Sequence, residues 1–183
     1  MFRKTSFIIA VLALFLTMTN AVPTQAYQLD IEKDWVIGRS TGEPIPNGSY
    51  KKLVNQTIQM CLGYDERPFG INLGWQPCGW IRPNIQFVRQ SSTGDQRPLV
   101  YGERLAIKVA GHGYLRYGER PLGINLVWSN TPSYEWVIRG GVRGSTVKTG
   151  KPVVLYNRIA ADTLIYCKRP IGINLRWTSD CNR

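Results

Sequence analysis

Histidine, acidic residues and long apolar runs are all scarce in this chain of 183 residues, and each scarcity removes a class of function. His112 is the only histidine, and no two of the 4 cysteines stand as a C-x-x-C pair, so the usual ligand set of a zinc site is missing. Asp and Glu number 12 against 23 Lys and Arg, and no acid pair recurs at a spacing suited to general acid–base work. His112 lies in Ala110-Gly-His-Gly113, a loop composition, with no Ser or Cys motif beside it. Phosphate loops, RNP motifs and zinc fingers are absent as well. The sequence therefore predicts a protein that is not an enzyme, holds no metal or cofactor, and reads no specific nucleic acid. No long helical period runs through it either.

One apolar run is present, from Phe7 to Leu16, and it is too short to span a bilayer. It follows Arg3 and Lys4 and gives way to small and polar residues up to Thr24-Gln25-Ala26, the three-part pattern of a secretory signal. A buried first helix is the alternative for this segment, and Ala21 the alternative cleavage point to Ala26. The expected organisation is a signal peptide over residues 1–26 and one domain over 27–183. With no transmembrane segment the protein is expected to be secreted, or periplasmic in a Gram-negative source. Removing Arg3 and Lys4 takes the formal charge from +11 to +9, which attracts anionic glycans, lipid, nucleic acid or an acidic protein. Solubility alone would account for such a scattered excess equally well.

What the chain has in abundance is self-similarity. The hexapeptides GINLGW (Gly70–Trp75), GINLVW (Gly123–Trp128) and GINLRW (Gly172–Trp177) begin 53 and 49 residues apart. Extended backwards, all three copies obey L-x-Y-x-x-R-P-x-G-I-N-L-x-W without gaps. Leu and Tyr alternate on one strand, Ile, Leu and Trp on the next, and R-P-x-G supplies a turn between them. The predicted inward set is Leu62, Tyr64, Ile71, Leu73 and Trp75 with their equivalents, and each Trp is expected to anchor the core. Shorter echoes keep the period: Asp34-Trp35-Val36, Gln86-Phe87-Val88 and Glu135-Trp136-Val137. Leu53-Val54-Asn55 also matches Leu155-Tyr156-Asn157, with Leu105–Lys108 a degraded counterpart.

In an exported chain Cys61, Cys78, Cys167 and Cys181 read as disulfides, for which three pairings are open. Cys61–Cys78 with Cys167–Cys181 is favoured, because each pair flanks one hexapeptide and closes a short hairpin. Trp80, just beyond Cys78, is expected either on the surface or in the core beside that bridge.

Three units of about 50 residues, each with about four strands, need an arrangement that closes on itself. A linear solenoid would need caps, and three blades lie below the usual propeller count. The expected fold is all-β, a β-trefoil with three internal repeats of about 50 residues. The triplicated hairpin ending in Trp resembles the β-trefoil superfamily, and within it the ricin-B-type lectins, over residues 28–182. That resemblance implies up to three sugar sites, one per unit. The chain departs from the lectin pattern in having Leu73, Leu126 and Leu175 where those lectins carry Gln, and Lys168 where Glu66 and Glu119 stand.

The polar letters of the repeat admit two readings. Asn and Arg tie turns and Tyr fills the rim, or Tyr64, Arg67 and Asn72, Tyr117, Arg120 and Asn125, and Tyr166, Arg169 and Asn174 line three equivalent binding pockets. On the second reading the partners are glycans or glycoconjugates on a cell surface, with other toxin subunits if the chain is the recognition part of a toxin. The alternatives are a β-trefoil protease inhibitor acting through the basic, flexible loop Arg139–Lys151, and a non-catalytic structural protein that binds anionic surfaces.

Overall fold

Alternating apolar residues become strands throughout the computed structural model, which describes residues 32–39, 42–91 and 94–181. The expected signal peptide, 1–26, lies outside them. The protein is all-β, and the thirteen strands among the described residues form one antiparallel sheet with branches. Three hairpins carry the fourteen-residue repeat. They pair β4 (Met60–Tyr64) with β5 (Leu73–Gln76), β8 (Gly113–Tyr117) with β9 (Leu126–Ser129), and β12 (Asp162–Tyr166) with β13 (Leu175–Trp177). Their registers are equivalent, since Tyr64 faces Leu73, Tyr117 faces Leu126 and Tyr166 faces Leu175.

The remaining strands are β1 (Trp35–Ile37), β2 (Tyr50–Lys51), β3 (Leu53–Asn55), β6 (Ile85–Arg89), β7 (Arg104–Val109), β10 (Trp136–Arg139) and β11 (Pro152–Asn157). Only Lys52 separates β2 from β3, and β2 pairs with β6 while β3 pairs with β1. From β6 the pairing continues through β7, β10 and β11, and β11 pairs back onto β1. β2 and β3, neighbours across Lys52, thus enter the ladder at different places, and β5, β9 and β13 each have a single strand partner.

Two cyclic contacts close the ends. At one end the buried residues Ile45, Leu99 and Val147 join in a triangle of backbone bonds: Ile45 N–H donates to Val147 O, Val147 N–H to Leu99 O, and Leu99 N–H to Ile45 O. At the hairpin end Gly70, Gly123 and Gly172 converge. A Cβ added to Gly123 would lie 3.0 Å from the Gly70 Cα, and one added to Gly172 would lie 3.6 Å from the Gly123 Cα. All three glycines have φ between +82° and +87°, where a side chain is strained in any case.

The core differs from expectation at its aromatic positions. Ile71, Ile124 and Ile173 and Leu73, Leu126 and Leu175 are buried as the alternation requires. Of the hexapeptide tryptophans only Trp177 is buried, whereas Trp75 and Trp128 pack on the core while partly exposed, as does Tyr117, and Tyr64 and Tyr166 are partly exposed as well. The deepest aromatics are instead Trp35, Phe87 and Trp136, in the shorter echoes. Those residues lie in ladder strands paired along both edges, whereas the hexapeptide tryptophans lie in β5, β9 and β13, each with a single strand partner. The Trp35 indole N–H donates to Leu164 O at 2.6 Å, and that of Trp136 to Leu115 O at 2.8 Å.

An acid just before each of these tryptophans ties one hairpin to the ladder. Buried Asp34 accepts from the Asn55 amide at 2.7 Å and the Tyr166 backbone N–H at 2.6 Å. Glu135 does the same with Asn157, at 2.7 Å, and with the Tyr117 backbone N–H. The middle stretch has Gln86, which donates to Gly48 O instead. Both disulfides pair as expected, Cys61 with Cys78 and Cys167 with Cys181, with Cα atoms 5.0 and 6.1 Å apart. Trp80 resolves to the surface at 85% exposure.

Candidate functional site

Each polar letter of the repeat has a partner within the protein. Asn72, Asn125 and Asn174 use their side-chain oxygens to accept the backbone N–H of Arg67, Arg120 and Arg169, at 3.2, 3.1 and 3.0 Å. The Asn side chain thereby closes its own turn five residues back, the kind of local bond that Asn offers in tight loops. Arg67, Arg120 and Arg169 each donate first to the carbonyl of Leu73, Leu126 or Leu175 in the same hairpin. Each then reaches a neighbouring turn: Arg67 to Gly172 O at 3.3 Å, Arg120 to Gly70 O at 2.6 Å, and Arg169 to Gly123 O at 2.7 Å. Burial lowers the Arg169 pKa, with Arg176 adding to the effect, yet an arginine this far above neutrality keeps its charge.

The tyrosines interlock in the opposite sense. Tyr64 packs on Trp128, Tyr117 on Trp177 and Tyr166 on Trp75, with ring centroids 6.3, 6.1 and 5.9 Å apart. A face of Tyr64 is further covered by His112, whose ring stacks on it at 3.5 Å and 2°. The structure therefore brings together the nine predicted residues as three sets around one end of the molecule. The asparagine amides serve their own turns, while the guanidinia and the tyrosine rings also make contacts between the hairpins.

A different surface leaves charged groups unanswered. An open cleft with a cavity volume of about 830 Å³ runs over the outer faces of β7, β10 and β11. Strand alternation places Val137 and Arg139 from β10 and Tyr156 from β11 on this face, with Arg104 from β7 and Arg158 just past β11. Tyr101, Gly102, Gly140, Gly141, Arg143 and Lys33 complete the lining, and no carboxylate is among them. The side chains of Arg104, Arg143 and Arg158 are exposed, and none of the ion pairs among the described residues involves them. Arg139 sits over Tyr156, its guanidinium carbon 3.3 Å from the ring centroid, and its charge also acts on Glu32. Two glycines make the floor possible: a Cβ on Gly141 would strike the Tyr101 ring at 2.4 Å, and one on Gly102 would strike Arg143 at 2.8 Å.

Arg104 also lines a second cleft of about 630 Å³, with Arg89, Gln90, Arg97, Pro98, Val100, Glu103 and Thr146. Here the charges are partly met. Arg89 pairs with Asp95 at 3.5 Å and with Glu103 at 3.1 Å, while Arg97 pairs with Asp95 at 2.9 Å and remains 77% exposed.

Sequence reasoning missed this basic surface because its residues are spread from position 33 to position 158 and none is adjacent to another Lys or Arg. The only available signal was the composition of the stretch Arg139–Lys151, which supplies Arg139 and Arg143. That stretch differs from the flexible loop expected of it. Val147 and Thr149 are buried, Val147 belongs to the closing triangle, and Thr149 N–H donates to Glu43 O at 2.9 Å. Among the described residues no group of His, Cys, Asp or Glu is placed to hold a metal, and no helix is long and apolar enough to cross a membrane. Comparison with protein-family models, curated proteins and solved structures gives no match to this chain.

Proposed function

We propose that this chain is a secreted, non-catalytic β-trefoil module that binds anionic glycans on a cell surface through the cleft over β7, β10 and β11. Support for the trefoil comes from the two cyclic closures, the equivalent hairpin registers and the ladder that returns to β1. Two disulfides fit an extracellular location.

The observation that carries the functional reading is a cleft lined by Lys33, Arg104, Arg139, Arg143 and Arg158 without one acid. Of these, Arg104, Arg143 and Arg158 are exposed and outside the ion pairs, so an anion seated on this concave face relieves their mutual repulsion as well as pairing with them. Guanidinium forks suit the planar edges of carboxylates and the oxygens of sulfates, and they bind these with short charge-assisted bonds. A neutral-sugar lectin built on Tyr64, Arg67, Asn72 and their equivalents is less well supported, because those groups already have partners. An inhibitory loop is disfavoured in the same way by the anchored Arg139–Lys151 segment.

A glycan array probed with the parent and with Arg143→Glu/Arg158→Glu tests the proposal. Both residues are exposed and unpaired, so the variant should keep its thermal midpoint. The parent should select sulfated or otherwise anionic glycans and the variant should lose them. Selection of neutral glycans, or equal binding by the variant, would remove the cleft from the function.

A further inference from the structure

We infer that the ligand is a linear polysulfated saccharide lying across both clefts, read by the spacing of its charges rather than by stacking of its sugar rings. The inference rests on the reading of the basic cleft as the glycan site and adds the class and length of the glycan.

Continuity comes first. Arg104 lines both clefts, so the basic surface does not end at β7 but runs on to the exposed Arg97. Each cavity alone, at about 830 and 630 Å³, matches the roughly 300–1,000 Å³ of a small-molecule site. Joined at Arg104 they make a trough rather than a pocket, which a single anion or a monosaccharide would leave largely empty. A repeating polyanion would instead meet cations along its whole length.

The aromatic residues exclude the usual sugar contact. Neither tyrosine of the main cleft offers a bare ring: Tyr156 is covered by Arg139, and Tyr101 is 8% exposed with Gly141 against it. Stacking on an apolar sugar face is thereby removed, and so is the base stacking on which single-stranded nucleic acids depend. Charged substituents are the groups this surface is equipped to recognise, and sulfates carried at intervals along a saccharide supply them. The second cleft grades the attraction. Asp95 and Glu103 neutralise part of Arg89 and Arg97, so Arg143, Arg158 and Arg104 hold the chain more strongly than the Arg97 end does.

Size-defined heparin-derived oligosaccharides, from disaccharide to dodecasaccharide, titrated into the full secreted protein at fixed salt give the test. Affinity should rise with length until both clefts are covered and then level off. Arg97→Gln should weaken the longest oligosaccharides by about threefold, in line with one exposed charge contact, and leave the disaccharide unchanged. Arg143→Glu should weaken every length. Disaccharide and dodecasaccharide binding equally would overturn the extended trough and leave the basic cleft as a single-anion site. Binding of oligothymidylate as tightly as a charge-matched oligosaccharide would overturn the saccharide class. No binding at any length would overturn both this inference and the reading beneath it.

Discussion

Removing the side-chain amide of Asn125 would strip the Arg120 backbone N–H of the acceptor it meets at 3.1 Å inside a partly buried turn. A donor left unmet in such a place costs about 1–3 kcal/mol, so Asn125→Ala should lower the urea midpoint by that equivalent. Glycan binding by the folded fraction should stay at the parent level, because the residue lies at the hairpin end and outside the cleft. The aromatic residues can be ranked by the same logic. Trp136 is 1% exposed and bonded to Leu115 O, whereas Trp128 covers a rim. Trp136→Ala should cost about 3–5 kcal/mol in equilibrium unfolding. Trp128→Ala should cost distinctly less, because solvent already occupies part of its surroundings. Equal losses would mean that the rim ring is as deeply packed as the ladder ring.

At the level of the element, the hairpins depend on how closely their turns approach. Gly123 combines φ of +87° with a would-be Cβ 3.0 Å from the Gly70 Cα, and backbone cannot move aside as a flexible side chain can. Gly123→Ala should therefore cost about 1–2 kcal/mol from conformation alone, with the contact adding to it, read as a fall in the thermal midpoint. The loop that carries Arg97 sets a pH dependence. Hydrogen bonds from the Arg97 side chain and backbone hold the Asp95 carboxyl well below the usual carboxylate range. Its folded pKa is depressed, so its contribution is present above the unfolded value near 4 and is lost as pH falls towards the folded one. Glu32, raised by burial, works in the opposite direction, since the folded state takes up its proton first as pH falls. Asp95→Asn should flatten the decline in thermal midpoint below about pH 4 relative to the parent. An unchanged acid limb would show that the pair contributes nothing to folding.

At the scale of the whole molecule, the charge of about +9 left after the expected signal peptide acts together with the acid-free cleft. The Debye length shrinks from about 10 Å at 0.1 M to about 3 Å at 1 M, so a ligand held mainly by cleft charges should be eluted from an immobilised sulfated glycan by salt alone. Retention at about 1 M salt would point instead to stacking or apolar contact. Assembly has its own cost: contacts such as Trp35 with Leu164 and Tyr166 with Asp34 join residues more than 120 positions apart, which delays much of the stabilisation until the ends of the chain meet.

The sequence by itself determined the features that depend on neighbours along the chain. Period-two alternation and the R-P-x-G turn set the three hairpins, and the absence of helical period set the all-β class. The spacing of Cys61, Cys78, Cys167 and Cys181 around those hairpins favoured the pairing that the structure contains. Tertiary structure decided what depends on distant residues. Alternation tells which face of a strand is inward but not how deep that face lies, so Trp35, Phe87 and Trp136 could not be ranked above Trp75 and Trp128. Recurrence told that Arg67, Asn72 and their equivalents mattered, but only the convergence of Gly70, Gly123 and Gly172 gave the arginines carbonyls to bind across the turns. The basic cleft gathers Lys33, Arg104, Arg139, Arg143 and Arg158 from four parts of the chain, because strands far apart in sequence become neighbours when the ladder runs back to β1.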